Sequence, residues 1–196
     1  IWSHMANENW CMIGYHSVSV LADAVAKGLP LDKEEVLKAM VSSSTIPYLD
    51  GTGEYMEKGY VALDHNGSAA SLTLEYAYDD WTIYHTALLA GNRSVADTYK
   101  KRAANYTNVF DTNMGYARPR YADGRWKENF NLLNTHGEGF IEGNALNYSF
   151  YVPQDVDNMI RLMGGDKSFV SKLDSLFTMH LPAEFFAQTE DVTEEG

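Results

Sequence analysis

The stretch "SAASLTLEYAYDDWTIYHTALLAG", residues 68–91, decides the fold. It reads as one long helix, capped by Ser68 and stopped by Gly91. A partner helix follows after Asn92 in "RSVADTYKKRAANYTNVFD", so the two form an antiparallel pair with a tight connection. Within the long helix, Glu75 and Asp79 stand four residues apart and share a face, while Asp80 is turned away from them. Like charges at that spacing destabilise a helix unless something neutralises them. Tyr76, Tyr78, Trp81 and Tyr84 crowd the same turns, which sets this helix apart from a plain solvated face.

Upstream, "CMIGYHSVSVLADAVAKG" places Met12, Ile13, Val18, Val20, Leu21, Ala24 and Val25 close to a helical period, with Gly28 as the stop. Pro30 restricts the entry to a second helix, for which Asp32 is the N-cap of "KEEVLKAMVSS". Downstream, a helix from Pro153 to Met163 breaks at Gly164-Gly165 and is followed by another from Asp166, as N-cap, to His180. Between these pairs lie a Gly- and Tyr-rich stretch, 43–67, expected to be a loop with a short strand or hairpin, and an irregular stretch from Thr112 to Phe140. Asp123-Gly124 marks a turn in the second of these. The fold class is therefore all-α: αα-hairpins alternating with long loops, the pattern of a toroid or an α-solenoid. Three pairs make half of a six-pair toroid, and no close sequence repeat underlies them.

The 196 residues, 45% of them hydrophobic, suffice for one sizeable core. With 15 basic and 27 acidic residues the formal net charge is −12, the wrong sign for neutralising phosphates, so nucleic acid is excluded as a partner. Cys11 is the single cysteine and reads as a buried small hydrophobe, leaving no disulfide framework and no thiolate cluster for zinc. The six histidines lack the spacing that sets two imidazoles on one helical face, and His16 and His85 read as satisfied core or rim residues. No run of about 18 apolar residues is present, so no membrane insertion is expected, and the first residues lack the features of a signal peptide.

Three places carry candidate chemistry. Asn7, Glu8 and Trp10 combine a carboxylate with an indole, a pair suited to sugar hydroxyls and an apolar sugar face; helix capping by the asparagines is the plainer alternative. Asp79 and Asp80 lie on the aromatic-lined helix. The third is "FIEGNALNYSFYVPQDV", residues 140–156, where Glu142 is followed by Gly143, Asn144 and an aromatic run. Gly143 allows close approach of a ligand or an unusual backbone angle, and Asn144 offers both a donor and an acceptor. Apolar surroundings from Tyr148, Phe150 and Tyr151 would disfavour the charged form of Glu142 and suit it to donate a proton. Glu138 is a nearby competitor for that role, and Asp155 reads as a structural carboxylate at a helix start.

Together, "NENWCMIGYHSVSVLADAVAKG", "SLTLEYAYDDW", "EGNALNYSFYVPQDV" and "LMGGDKSFVSKLDSLF", in this order, resemble glycoside hydrolase family 92, the bacterial exo-acting α-mannosidases. The resemblance implies an N-terminal β-sandwich, a catalytic (α/α)6 barrel and calcium dependence. It also implies hydrolysis of terminal α-linked mannose, often α-1,2, with inversion, in a periplasmic or secreted setting. By it Glu142 is the general acid, Gly143 and Asn144 shape and hydrogen-bond the sugar site, and Glu8, Asp79 and Asp80 lie in barrel-interior or substrate-facing elements. With Asn7 and Trp10, read above, Glu8, Asp79, Asp80 and Asn144 make the substrate-binding candidates. Family members continue past the position of Gly196 with a Gly-Asn-Glu-Pro motif and later an acidic segment, which look like the calcium site and the base. The expectation is therefore a partial catalytic barrel over residues 1–196, with no metal ligands of its own, prone to self-association and inactive alone. A non-catalytic carbohydrate-binding or interaction module on the same scaffold is the alternative. A polysaccharide lyase on such a toroid would want more cations than stand near Glu142.

Overall fold

The computed structural model describes residues 13–135 and 137–180. Helix α1, Ser17–Ala26, starts later than the apolar periodicity suggested. Gly14 adopts φ +84°, and the Tyr15 N–H donates to the Asp79 carboxylate at 2.9 Å, so the chain enters the helix from a fixed anchor. Gly28, at φ +73°, ends α1 as expected. Helix α2, Lys33–Ser43, has Asp32 as its N-cap, the carboxylate accepting from the Glu34 and Glu35 N–H groups.

The first irregular stretch holds a short helix, α3, Thr52–Lys58, where a strand or hairpin was expected. Its bounds are Gly51 and Gly59, both left-handed, which lets a short helix sit between two sharp reversals.

Helix α4, Ala69–Leu89, is the long helix of the opening stretch, and 15 of its 21 residues are buried. Ala69, Ala70, Ala77 and Ala87 are fully buried on it, which lets neighbours approach from several sides. Helix α5, Arg93–Arg102, pairs with it after the Asn92 cap. The sequence predicts helix to about Asp111. The chain instead passes into a 3-10 turn, Asn105–Val109, and then strand β1, Phe110–Asp111, which pairs antiparallel with β2, Tyr116–Ala117. The Asp123-Gly124 turn sits where expected, closing an isolated bridge between Arg120 and Trp126.

A one-turn helix, α6, Ala145–Tyr148, was not foreseen. Helices α7, Val156–Leu162, and α8, Asp166–Thr178, form the last pair, with Gly165 rather than Asp166 at the N-cap of α8. The fold is all-α in antiparallel helical pairs. Helix α4 separates two cores, one including Tyr15, Val18, Met40, Tyr55 and Tyr76, the other Leu74, Tyr106, Val109, Phe140 and Met163.

Candidate active site

Helix α4 begins with N–H groups that have no partner inside the helix. They are met from the distant segment 137–144. The Gly139 carbonyl accepts from the Ala70 N–H at 2.9 Å and the Ser71 N–H at 3.2 Å, and the Ser71 hydroxyl accepts from the Ile141 N–H at 3.2 Å. Ser68, the expected cap, makes no side-chain capping bond, because Gly139 performs that task. Gly139 sits at φ +83°, and a Cβ there would lie 2.7 Å from the Pro119 ring. Sequence and sterics thus fix this loop to the start of the longest helix.

Glu142 follows at φ 49°, in the left-handed region, with its side chain exposed. The unusual backbone angle foreseen for Gly143 therefore falls on the glutamate itself. Gly143 is needed for space: a Cβ would stand 2.9 Å from the Asn147 amide and 3.1 Å from the Tyr148 ring. Asn144 is the N-cap of α6. Its Oδ1 accepts from the Leu146 N–H at 3.0 Å, its Nδ2 donates to the Leu133 carbonyl, and its own N–H donates to the Asn147 Oδ1. The donor and acceptor read as sugar contacts are both engaged in holding the turn.

The aromatic run does not wrap Glu142, contrary to expectation. One helical turn sends its members in different directions. Phe150 packs edge-on against Phe169, with ring centroids 5.8 Å apart. Tyr148 points its hydroxyl toward Glu75 Oε1 at 3.5 Å, and Tyr151 bonds to the same carboxylate. Burial, then Glu75, pushes the Tyr148 phenol up to about 12, so it acts as a neutral donor. Glu138 is 5% exposed and sits 3.2 Å from the Lys127 ammonium, a poor position for a group that must deliver a proton to substrate. Asp155 accepts from the Tyr106 hydroxyl at 2.7 Å and is structural, as its place at a helix start implied.

The answer to the like-charge pair on α4 is His16. Its Nε2 lies 2.9 Å from Glu75 Oε2 and its Nδ1 lies 2.8 Å from Asp79 Oδ1. Burial alone would lower its pKa, but the hydrogen bonds and charges of the two carboxylates outweigh that and raise it to about 10, so the ring is an imidazolium. Burial pushes Asp79 up, while His16 and the Tyr15 N–H pull the other way. Gly14 makes room for the ring: a Cβ there would lie 2.6 Å from His16 Nε2. Nothing in local spacing pointed to this clamp, because His16 and the two carboxylates are far apart in sequence.

Asp80 belongs to a separate buried network. Its Oδ2 accepts from Arg102 Nε at 2.8 Å and the Tyr55 hydroxyl at 2.9 Å, and its Oδ1 from the Tyr15 hydroxyl at 2.8 Å. Both Asp79 and Asp80 are fully buried, so neither reaches a ligand directly from these positions. Asn7, Glu8, Trp10 and Cys11 lie outside the described residues. Among the described residues no three His, Cys, Asp or Glu side chains converge to hold a metal ion. Glu75 and Asp79 are bridged by His16. No helix among the described residues is long and apolar enough to cross a membrane.

Comparison with known proteins adds what the geometry lacks. Residues 1–195 match the model of the glycosyl hydrolase family 92 catalytic domain. The family GH92 α-mannosidase BT3965 of Bacteroides thetaiotaomicron is 39% identical, with a TM-score of 0.88 over 93% of this chain and 24% of its own. Its complex with mannoimidazole superposes with a TM-score of 0.87 at 38% identity, covering 93% of this chain and 25% of its own. The family GH92 inverting mannosidase BT2199 of the same organism is 31% identical, with a TM-score of 0.83 over 96% of this chain and 27% of its own. A protein of Arthroderma benhamiae described as an uncharacterized secreted glycosidase is 26% identical over 83% of this chain and 26% of its own length. The chain thus spans about a quarter of the length of these relatives. Its helical pairs are part of an (α/α)6 barrel, and the chain belongs to the catalytic domain of glycosyl hydrolase family 92.

Proposed function

We propose that the chain works as part of an exo-acting α-mannosidase that removes terminal α-linked mannose, preferring α-1,2 linkages, from mannose-containing glycans, and that Glu142 is its general acid. The observation that carries this reading is the setting of Glu142: an exposed carboxyl, held in left-handed backbone geometry, on a loop fastened to the start of α4. Strain of this kind persists where a side chain must be presented in one place.

In this mechanism the Glu142 proton passes to the departing glycosidic oxygen as the bond to the anomeric carbon breaks. Water attacks the opposite face of the sugar, and its proton goes to a base about 6.5 to 9.5 Å from the acid. By the family resemblance the base comes from a segment of the longer enzyme outside this chain, and this chain alone is inactive. Inversion is supported by the relative named as an inverting mannosidase, and a secreted or periplasmic location by the relative described as secreted. Calcium dependence enters from the family resemblance alone, and no step here uses the ion.

The test is proton NMR of α-1,2-mannobiose turnover by the longer enzyme and its Glu142→Gln variant. Mannose is expected to appear first as the β-anomer, and the variant to be slower by about 10² to 10⁴. On an aryl mannoside with a good leaving group the variant should lose far less. Equal losses on both substrates overturn the acid assignment, and initial release of the α-anomer overturns inversion.

A further inference from the structure

We infer that His16 is a positioning residue for Glu142, acting through Glu75 and the tyrosines that follow the acid in sequence. The inference rests on the reading of Glu142 as the general acid. Each link is a contact. His16 Nε2 lies 2.9 Å from one oxygen of Glu75 and fixes that carboxylate's rotation. The other oxygen faces the Tyr148 hydroxyl at 3.5 Å, and Tyr151 also bonds to Glu75. The Tyr148 ring lies against the backbone of Gly143, so close that a Cβ there would come within 3.1 Å of it. Gly143 is the immediate neighbour of Glu142. An imidazolium on the lead-in to α1 therefore sets where the acid stands on another loop.

The groups around this clamp leave His16 as its cation. Glu75 and Asp79 face it from α4, Tyr15 adjoins it in sequence, and Tyr78, Tyr148 and Tyr151 surround Glu75 and Asp79 as neutral phenols. With His16 replaced by a neutral side chain, two carboxylates one helical turn apart repel each other. Glu75 then has no reason to keep the rotamer that the tyrosines meet. Misplacement of a reacting group by about 1 Å costs on the order of 10²-fold in rate.

The experiment uses the longer enzyme with three variants, His16→Gln, Tyr148→Phe with Tyr151→Phe, and Glu142→Gln, each assayed on α-1,2-mannobiose and on a dinitrophenyl α-mannoside. The dinitrophenolate departs without a proton, so it reports on everything except the acid. His16→Gln is expected to lose about 10²-fold in kcat on mannobiose, with KM little changed and the activated substrate nearly unaffected. The double tyrosine variant keeps both rings and should show the same split, which decides the matter if His16→Gln does not fold. Equal losses on the two substrates, or no loss, in the folded variant overturn the positioning role. If Glu142→Gln itself shows no split, the acid reading has failed; if it shows the split and the others do not, only the present inference has.

Discussion

Glu142 occupies backbone geometry that side chains other than glycine, asparagine and aspartate adopt at a cost of about 1–2 kcal/mol. Its side chain is exposed, so no burial compensates on the spot. Replacing Glu142 with glycine should relieve the strain and raise folding stability by up to about 1 kcal/mol, part of the gain being offset by the freer unfolded chain. Under the proposed role of Glu142 the same change removes the acid, so a stabilised and inactive variant is expected from denaturant unfolding and turnover measured together. A variant less stable than the parent would show that the glutamate holds its loop in place. At this scale the contacts of the segment around Glu142 differ from those its sequence suggested. Gly143 and Asn144 read as ligand-facing because a glycine beside an amide fits both a sugar site and a capped turn. The choice is made by Asn147 and Leu133, whose nearness is a tertiary fact. Tyr148 and Tyr151 read as apolar cover because their hydroxyl partner, Glu75, lies on a helix far upstream.

Among the elements, the node at Asp80 ties most of the N-terminal helices together. Arg102, the last residue of α5, donates to Asp80 on α4, to the Tyr15 hydroxyl ahead of α1, and to the Ser44 carbonyl just past α2. Tyr55 from α3 completes the shell. Burial pushes the Asp80 carboxyl up to about 6, with Arg102 and the two phenols pulling against that. Removing the cation alone leaves a buried, uncompensated carboxylate, so Arg102→Met should destabilise by about 3–5 kcal/mol. Adding Asp80→Asn should recover much of that loss, a coupling that a double-mutant cycle in urea measures directly. Helix identity was legible wherever period and punctuation agreed: Asp32, Gly28, Gly91 and Asn92 mark their boundaries correctly. Helices α3 and α6 were missed because each is too short to show a period. The end of α5 was misplaced because Asn105 to Val109 continues in a tighter 3-10 turn that no residue announces.

For the molecule as a whole, the clamp and the node make stability depend on pH. His16 keeps its proton up to about 10 when folded, whereas an unfolded histidine loses it near about 6.5. Its contribution is whole below that lower value and fades as pH rises toward the upper one. Asp80, raised to about 6 by burial, works in the same direction at lower pH: stability falls as pH climbs from about 4 through its folded value. Glu54 opposes them. Burial tends to raise its pKa, but the Ala62 N–H, Lys58 and His65 lower it overall, so it stabilises above about 4.3 and loses that effect as pH falls. The unfolding free energies of the parent and of His16→Gln should therefore differ most near pH 6 and converge as pH approaches 10. A constant difference would mean that His16 packs there without its charge mattering. The class of fold was readable from the whole chain, while the charge network was not, since His16 meets Glu75 and Asp79 only after α1 has folded onto α4.

The junction between Gly139 and the start of α4 sets how far the loop that carries Glu142 can move. Lifting the loop off the helix would break two main-chain bonds at Ala70 and Ser71, each worth about 1 kcal/mol, and leave buried N–H groups bare. The loop is therefore a fixed rim and not a lid. Under the proposed function, Glu142 is held in place while sugars exchange past it, and any gating of turnover lies on another wall of the barrel.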